Sequence, residues 1–167
     1  MEDEVKTWMK RIEDVKKGSV DLSRDEDLAI AIMNIVSLEE HFYFTAMKTS
    51  NQKYLEMLES VRELRKNLLK KIVTNPDGEE WCISKHLLAS SMRLIEVGTK
   101  ELSKKNAKDA NTYFNSAFNL YSLFFAINMK LLDKKSLEVN TSKEESKPKI
   151  MDKFSELIKK VVDCCKE

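Results

Sequence analysis

The stretch Ser23 to Lys48, SRDEDLAIAIMNIVSLEEHFYFTAMK, decides the fold of this chain. Leu28, Ile32, Ile35, Leu38, Phe42 and Ala46 recur every third or fourth residue, the period of one helical face. Met33, Val36, Tyr43 and Met47 widen that face until the helix is apolar on most sides, which predicts a central place in a bundle. Ser23 followed by Glu26 has the spacing of a capping box. No Gly or Pro interrupts the run.

Working outward, Thr49-Ser50-Asn51 separates this helix from a second amphipathic stretch. There Tyr54, Leu58, Val61, Leu64, Leu68 and Ile72 form the seam, and Glu56, Glu59, Arg62, Glu63, Arg65 and Lys66 are expected to face water. Thr74-Asn75-Pro76-Asp77-Gly78 is the clearest turn, because Pro76 excludes a helix and Gly78 permits a left-handed backbone. Asp77 with Glu80 then caps a helix over about 79–103, and Asn106 with Asp109 caps another that runs to about Leu132.

Toward the N-terminus, Val5, Trp8, Met9, Ile12 and Val15 predict a helix over about 3–17, ending near Gly18. Toward the C-terminus, residues 133–149 turn polar and read as a linker. Ile150, Phe154, Leu157, Ile158, Val161, Val162 and Cys165 then restore an apolar stripe. Short connections favour antiparallel neighbours. The expected fold is all-α: an antiparallel up-and-down bundle of four core helices, an N-terminal helix alongside, and a linker-attached C-terminal helix. The domain reading is a bundle over 1–132, a polar linker over 133–149 and an amphipathic helix over 150–167.

Composition excludes several classes of function. With 3 Gly and 2 Pro in 167 residues, the chain has neither the turns of a many-stranded β fold nor a glycine-rich phosphate loop. Lys+Arg 29 against Asp+Glu 28 gives a net charge of +1, so no bulk attraction to nucleic acid or acidic membranes is expected. Arg62, Arg65, Lys66, Lys70 and Lys71 are interspersed with acids, the pattern of an ion-paired solvent face. The acidic start Met1-Glu2-Asp3-Glu4 is unlike a secretory signal, and the apolar run Leu120 to Ile127 is too short to cross a bilayer. An odd set of cysteines, Cys82, Cys164 and Cys165, suits free thiols in a reducing cytoplasm.

Leu94, Gly98, Ala110, Phe114 and Ala117 carry a local resemblance. Their spacing resembles a single tetratricopeptide repeat over about 90–123, in which a small residue lets two antiparallel helices approach. The pattern departs at Glu101, where an aromatic is usual, and at Ser122, where a proline often falls. No second copy follows at that period, so the resemblance implies one hairpin within a bundle rather than a peptide-binding array. Ser37 to His41 and Ser84 to Arg93 also resemble segments of small helical prokaryotic proteins that carry no assigned activity.

Neither His41 nor His86 has Glu three positions earlier, which removes the ferritin-like di-iron pattern, and HExxH is absent. No Arg stands a few residues before either histidine, as HEPN-type nucleases require. Cys82 and His86 share a helical face but form only an open ligand pair, so no metal site and no cofactor are expected. Three polar tracks remain: Asn34, Ser37, His41, Thr45 and Lys48; His86, Ser90 and Arg93; and Asn111, Asn115, Asn119 and Ser122. Each is either a solvated face or one wall of a polar cleft. A cleft would hold Glu40, His41, His86, Arg93 and Asn115 as ligand-binding residues. The expected function is a non-catalytic protein-interaction or scaffold module, acting through Phe154, Leu157, Ile158 and Val161 on a protein partner or a second copy, without nucleic acid or membrane. The alternative is a small-molecule or metal-binding bundle built on that cleft.

Overall fold

The three- and four-residue periods become four helices in the computed structural model, which describes residues 22–130. They are α1 (Ser23–Thr49), α2 (Lys53–Ile72), α3 (Glu80–Ser103) and α4 (Ala107–Asn128), with no strand among the described residues. The expected helix over 3–17, the linker over 133–149 and the helix over 150–167 lie outside the described residues.

Turn chemistry sets the boundaries. Ser50 ends α1 at φ 50, and Gly78 adopts φ 55 in the link between α2 and α3. The Glu80 carboxylate accepts the Asp77 backbone N–H at 2.8 Å, half of a capping box. Asn106 Oδ1 accepts the Asp109 N–H at 3.4 Å, as its spacing predicts.

Two boundaries differ from expectation. Ser23 is the first helical residue of α1 rather than its cap, and Leu22 holds the cap position without a side-chain bond. The acids Asp25 and Glu26 still favour that end through the helix dipole. Helix α4 stops at Asn128, short of Leu132. There the Asn128 amide turns back to donate to the Phe124 carbonyl at 2.7 Å and to Ser84 Oγ at 3.1 Å. Lys130 follows at φ 53, which carries the backbone out of the helix.

Helices α3 and α4 form the closest pair. Ser84, Ser91 and Gly98 recur every seven residues on α3 and are all buried, as are Ala110, Ala117 and Phe124 on α4. Small side chains on both faces let the backbones approach. Ser91 Oγ reaches the Ala117 carbonyl at 2.8 Å, and a Cβ on Gly98 would fall 2.6 Å from Phe114 Cε1. Glu80 and Lys130 close the pair with an ion pair at its other end.

Helices α1 and α2 pair through larger groups. The Phe42 and Tyr54 rings lie 6.4 Å apart. Arg65, expected to face water, is instead 5% exposed and grips Glu39 in two bonds, Nε to Oε1 at 2.6 Å and Nη2 to Oε2 at 3.3 Å. The reason is register. Arg65 lies four residues before Leu69 and seven before Ile72, on the buried seam, so its guanidinium enters the α1–α2 interface.

The two hairpins meet where α1 packs on α3. The buried cluster contains Leu22, Ala29, Ile32 and Met33 of the α1 end, Leu69, Ile72 and Val73 of the α2 end, Leu87 and Leu88, and Phe124, Phe125 and Ile127. In an antiparallel array these all fall at one end: the start of α1 and α3, and the finish of α2 and α4. That is the closed end of the bundle, and Leu22 and Lys130 both lie there.

Candidate functional site

The opposite end is built differently, and the sequence pattern shows how. On α1 the positions Leu22, Glu26, Ala29, Met33, Val36, Glu40, Tyr43 and Met47 alternate by four and three residues, so they form one continuous stripe. Leu22 through Met33 are buried and Val36 packs on the core. Beyond Glu40 the same stripe emerges, with Tyr43 48% and Met47 54% exposed. Phe44, three turns from Met33, is exposed beside them, its ring 5.2 Å from that of Tyr43.

Two further stripes leave the core in the same direction. On α2 the run Leu68, Leu64, Val61 and Met57 starts against the core at Leu68; Leu64 and Met57 are exposed, with half-buried Val61 between them. On α3 the run Leu88, Met92, Ile95, Thr99 and Leu102 is buried at Leu88 and 54% exposed at Leu102. Tyr43, Met47 and Leu64, expected on packed faces, are thus surface residues. Their stripes enter the core at one end and carry exposed residues, among the described ones, toward the other. Ile30, Leu38 and Ile83 are also exposed but lie off these stripes.

The border between the two regions is polar. Arg93 of α3 donates to Glu40 of α1 and, at 2.5 Å, to Glu96 on its own helix. All three side chains are more than a third exposed, so the cluster is worth at most about 1 kcal/mol and marks the border rather than holding it.

Of the ligand-binding residues expected from sequence, Glu40 and Arg93 are therefore brought together. His41, His86 and Asn115 are exposed, and no hydrogen bond or ion pair among the described residues joins them to that pair. Cys82 is an exposed free thiol. No group of three or more His, Cys, Asp or Glu among the described residues is placed to hold a metal ion. The polar tracks also differ in fate: Asn111 and Asn115 are exposed, whereas Ser122 is buried and donates to the Phe118 carbonyl at 2.8 Å. Phe154, Leu157, Ile158 and Val161 lie outside the described residues.

A hydrogen bond from Lys66 holds the Glu63 carboxyl of α2 low, and the other shifted carboxyl groups serve helix ends. Burial pushes the Glu80 carboxyl up, but the Lys130 ammonium and the Asp77 N–H outweigh it and hold the group below its ordinary range. Hydrogen bonds from Lys104 and Asn106 hold Glu101 low, and Glu101 in turn raises Lys104.

Two features escaped sequence reasoning. The Arg65–Glu39 pair was signalled by the placement of Arg65 between Val61, Leu68 and Leu69 on the seam. The open end was signalled by apolar stripes on consecutive helices whose local partners are too few. No helix of the described residues is long and apolar enough to cross a membrane. Comparison of the chain with protein-family models, with characterised proteins and with solved structures finds no match in any of the three.

Proposed function

We propose that the protein is a non-catalytic interaction module whose open end receives the apolar face of a helix. One observation carries this reading: core stripes on α1 and α3 continue as exposed apolar residues at the same end of the bundle, the end at which Met57 of α2 is also exposed. Large exposed apolar side chains gathered at one end of a domain suit a binding site. A groove between helices suits an amphipathic helix read through anchors at i, i+3, i+4 and i+7.

The energetics favour such a role. Full burial of one large apolar side chain is worth about 1.5–3 kcal/mol, so covering a half-exposed one adds roughly 1 kcal/mol. Tyr43, Phe44, Met47, Leu64 and Leu102 together offer about 5 kcal/mol before ordering costs. That is modest and suits a reversible contact. The close approach of Gly98 to Phe114 supports likening the α3/α4 hairpin to one tetratricopeptide repeat, a unit used in protein contacts. An exposed free thiol at Cys82 suits a reducing compartment such as the cytoplasm.

Selection of displayed helical peptides on the immobilised full chain tests the reading. The expected result is enrichment of helices with apolar i, i+3, i+4, i+7 spacing, whose binding falls at least tenfold on Tyr43→Glu with Met47→Glu. Selected peptides indifferent to that double substitution, or no enrichment of helices, would overturn it.

A further inference from the structure

We infer that the partner of the open end is an acidic amphipathic helix, whose Asp and Glu flanks pair with Lys48 of α1, Lys53 of α2 and Lys100 of α3. The inference rests on the proposed function, and it adds the chemistry of the partner and the residues that select it.

Helical register places these lysines beside the exposed apolar residues. Lys48 lies four residues after Phe44, and Lys53 lies four residues before Met57, so each pair shares one side of its helix. Lys100 stands seven residues beyond Arg93, on the same row of α3. Arg93 is bonded to Glu40 of α1, and α1 and α3 run in the same direction. Seven residues beyond Glu40 comes Met47, followed by Lys48. Two turns past the Arg93–Glu40 pair, Lys100 is therefore level with Met47 and Lys48 rather than with a carboxylate.

The acids of that end are engaged already or lie on other sides. Arg93 holds Glu40 and Glu96, Lys104 and Asn106 hold Glu101, and Asn106 donates to Asp109 at 2.8 Å. Glu56 and Glu59 lie one and two residues from Met57, so neither shares its side of α2. Lys48, Lys53 and Lys100 are exposed, and no ion pair among the described residues engages them. An incoming carboxylate is the group this surface lacks.

Charge and shape separate this partner from two others. A second copy docked through the same face would bring the two sets of lysines together, a like-charge contact that costs affinity. The tip of the α1–α2 hairpin, Thr49 to Gln52, is exposed, polar and uncharged. Tyr43 and Met47 precede it along α1, which suits a helix lying alongside rather than a lipid surface meeting the tip.

Selection from a library of randomised displayed helices tests the inference, with the full chain and its Lys48→Glu, Lys100→Glu variant as baits. Both lysines are exposed, so the variant should melt with the parent. On the parent, Asp and Glu should exceed Lys and Arg at least threefold beside the selected apolar face, and the variant should invert that bias. Binding of the selected helices should weaken at least tenfold between low salt and about 1 M salt. Helices that need Tyr43 and Met47 but show no charge bias would sink the acidic partner and leave the interaction reading standing. No enriched helix at all would sink both. Two parallel measurements complete the test: sedimentation of the parent with phosphatidylserine vesicles, and its mass in solution. Vesicle binding or a dimer lost in the lysine variant, with no acidic bias among helices, would assign the surface to lipid or to a second copy instead.

Discussion

Replacement of Arg65 by alanine should cost far more than its place among surface charges suggests. Its side chain is 6% exposed, its partner Glu39 17%, and two bonds of 2.6 and 3.3 Å join them across the α1–α2 interface. Removing one member of a buried pair strands the other charge, at about 3–5 kcal/mol. Glu39 retains some contact with water, which places the expected loss near the lower figure, about 3 kcal/mol. An exposed pair would cost about 0–1 kcal/mol. Equilibrium unfolding in urea separates the two. With a slope of about 1–3 kcal/mol per molar, the loss lowers the midpoint by about 1–3 M. The double variant Arg65→Met with Glu39→Gln leaves no stranded charge and should lie within about 1–2 kcal/mol of the parent. A loss below about 1 kcal/mol for Arg65→Ala, with no coupling between the sites, would refute the buried-pair argument.

Phe125→Ala, at a side chain 1% exposed in the closed end, should cost about 3–5 kcal/mol in the same assay, and an effect under about 1 kcal/mol would contradict the placement of the core. Gly98→Ala gains about 1 kcal/mol of helix propensity but drives a methyl group to 2.6 Å from Phe114, with an overpacking cost of about 1–3 kcal/mol. The net loss should be about 1 kcal/mol, relieved when Phe114→Leu is added, as thermal melting would show. Glu80 is held below its unfolded value, so its contribution is complete above the ordinary carboxylate range and is lost as pH falls through the depressed value. Urea midpoints at neutral pH and near pH 3 should differ less in Lys130→Ala than in the parent. Lys104 has the opposite sense: its raised value means a contribution lost only as the pH climbs through the alkaline range.

The helices were legible in the sequence because each follows the 3.6-residue period over many turns and is bounded by Ser50, Pro76, Gly78 or Asn106. Arg65 shows where local reading stops. Charge alone assigns it to water, whereas its register with Leu69 assigns it to the interface, and only the position of Glu39 on another helix decides. Tyr43 and Met47 show the converse. They share a stripe with Met33, and periodicity cannot say how far along that stripe a neighbour remains in contact. The candidate site was less legible than the fold for that reason: an uncovered surface is a property of several helices at once. Glu40 and Arg93 came from polar spacing and do meet, but as an exposed pair with Glu96.

The heptad of small residues on α3 and α4 also has a mechanical consequence. Ser84, Ser91 and Gly98 seat α3 closely on α4, and the Arg65–Glu39 clamp ties α1 to α2, so each helix pair is held by its own device while α1 against α3 joins the two pairs. A substitution at Ser91 or Arg65 therefore loosens one pair without directly touching the other.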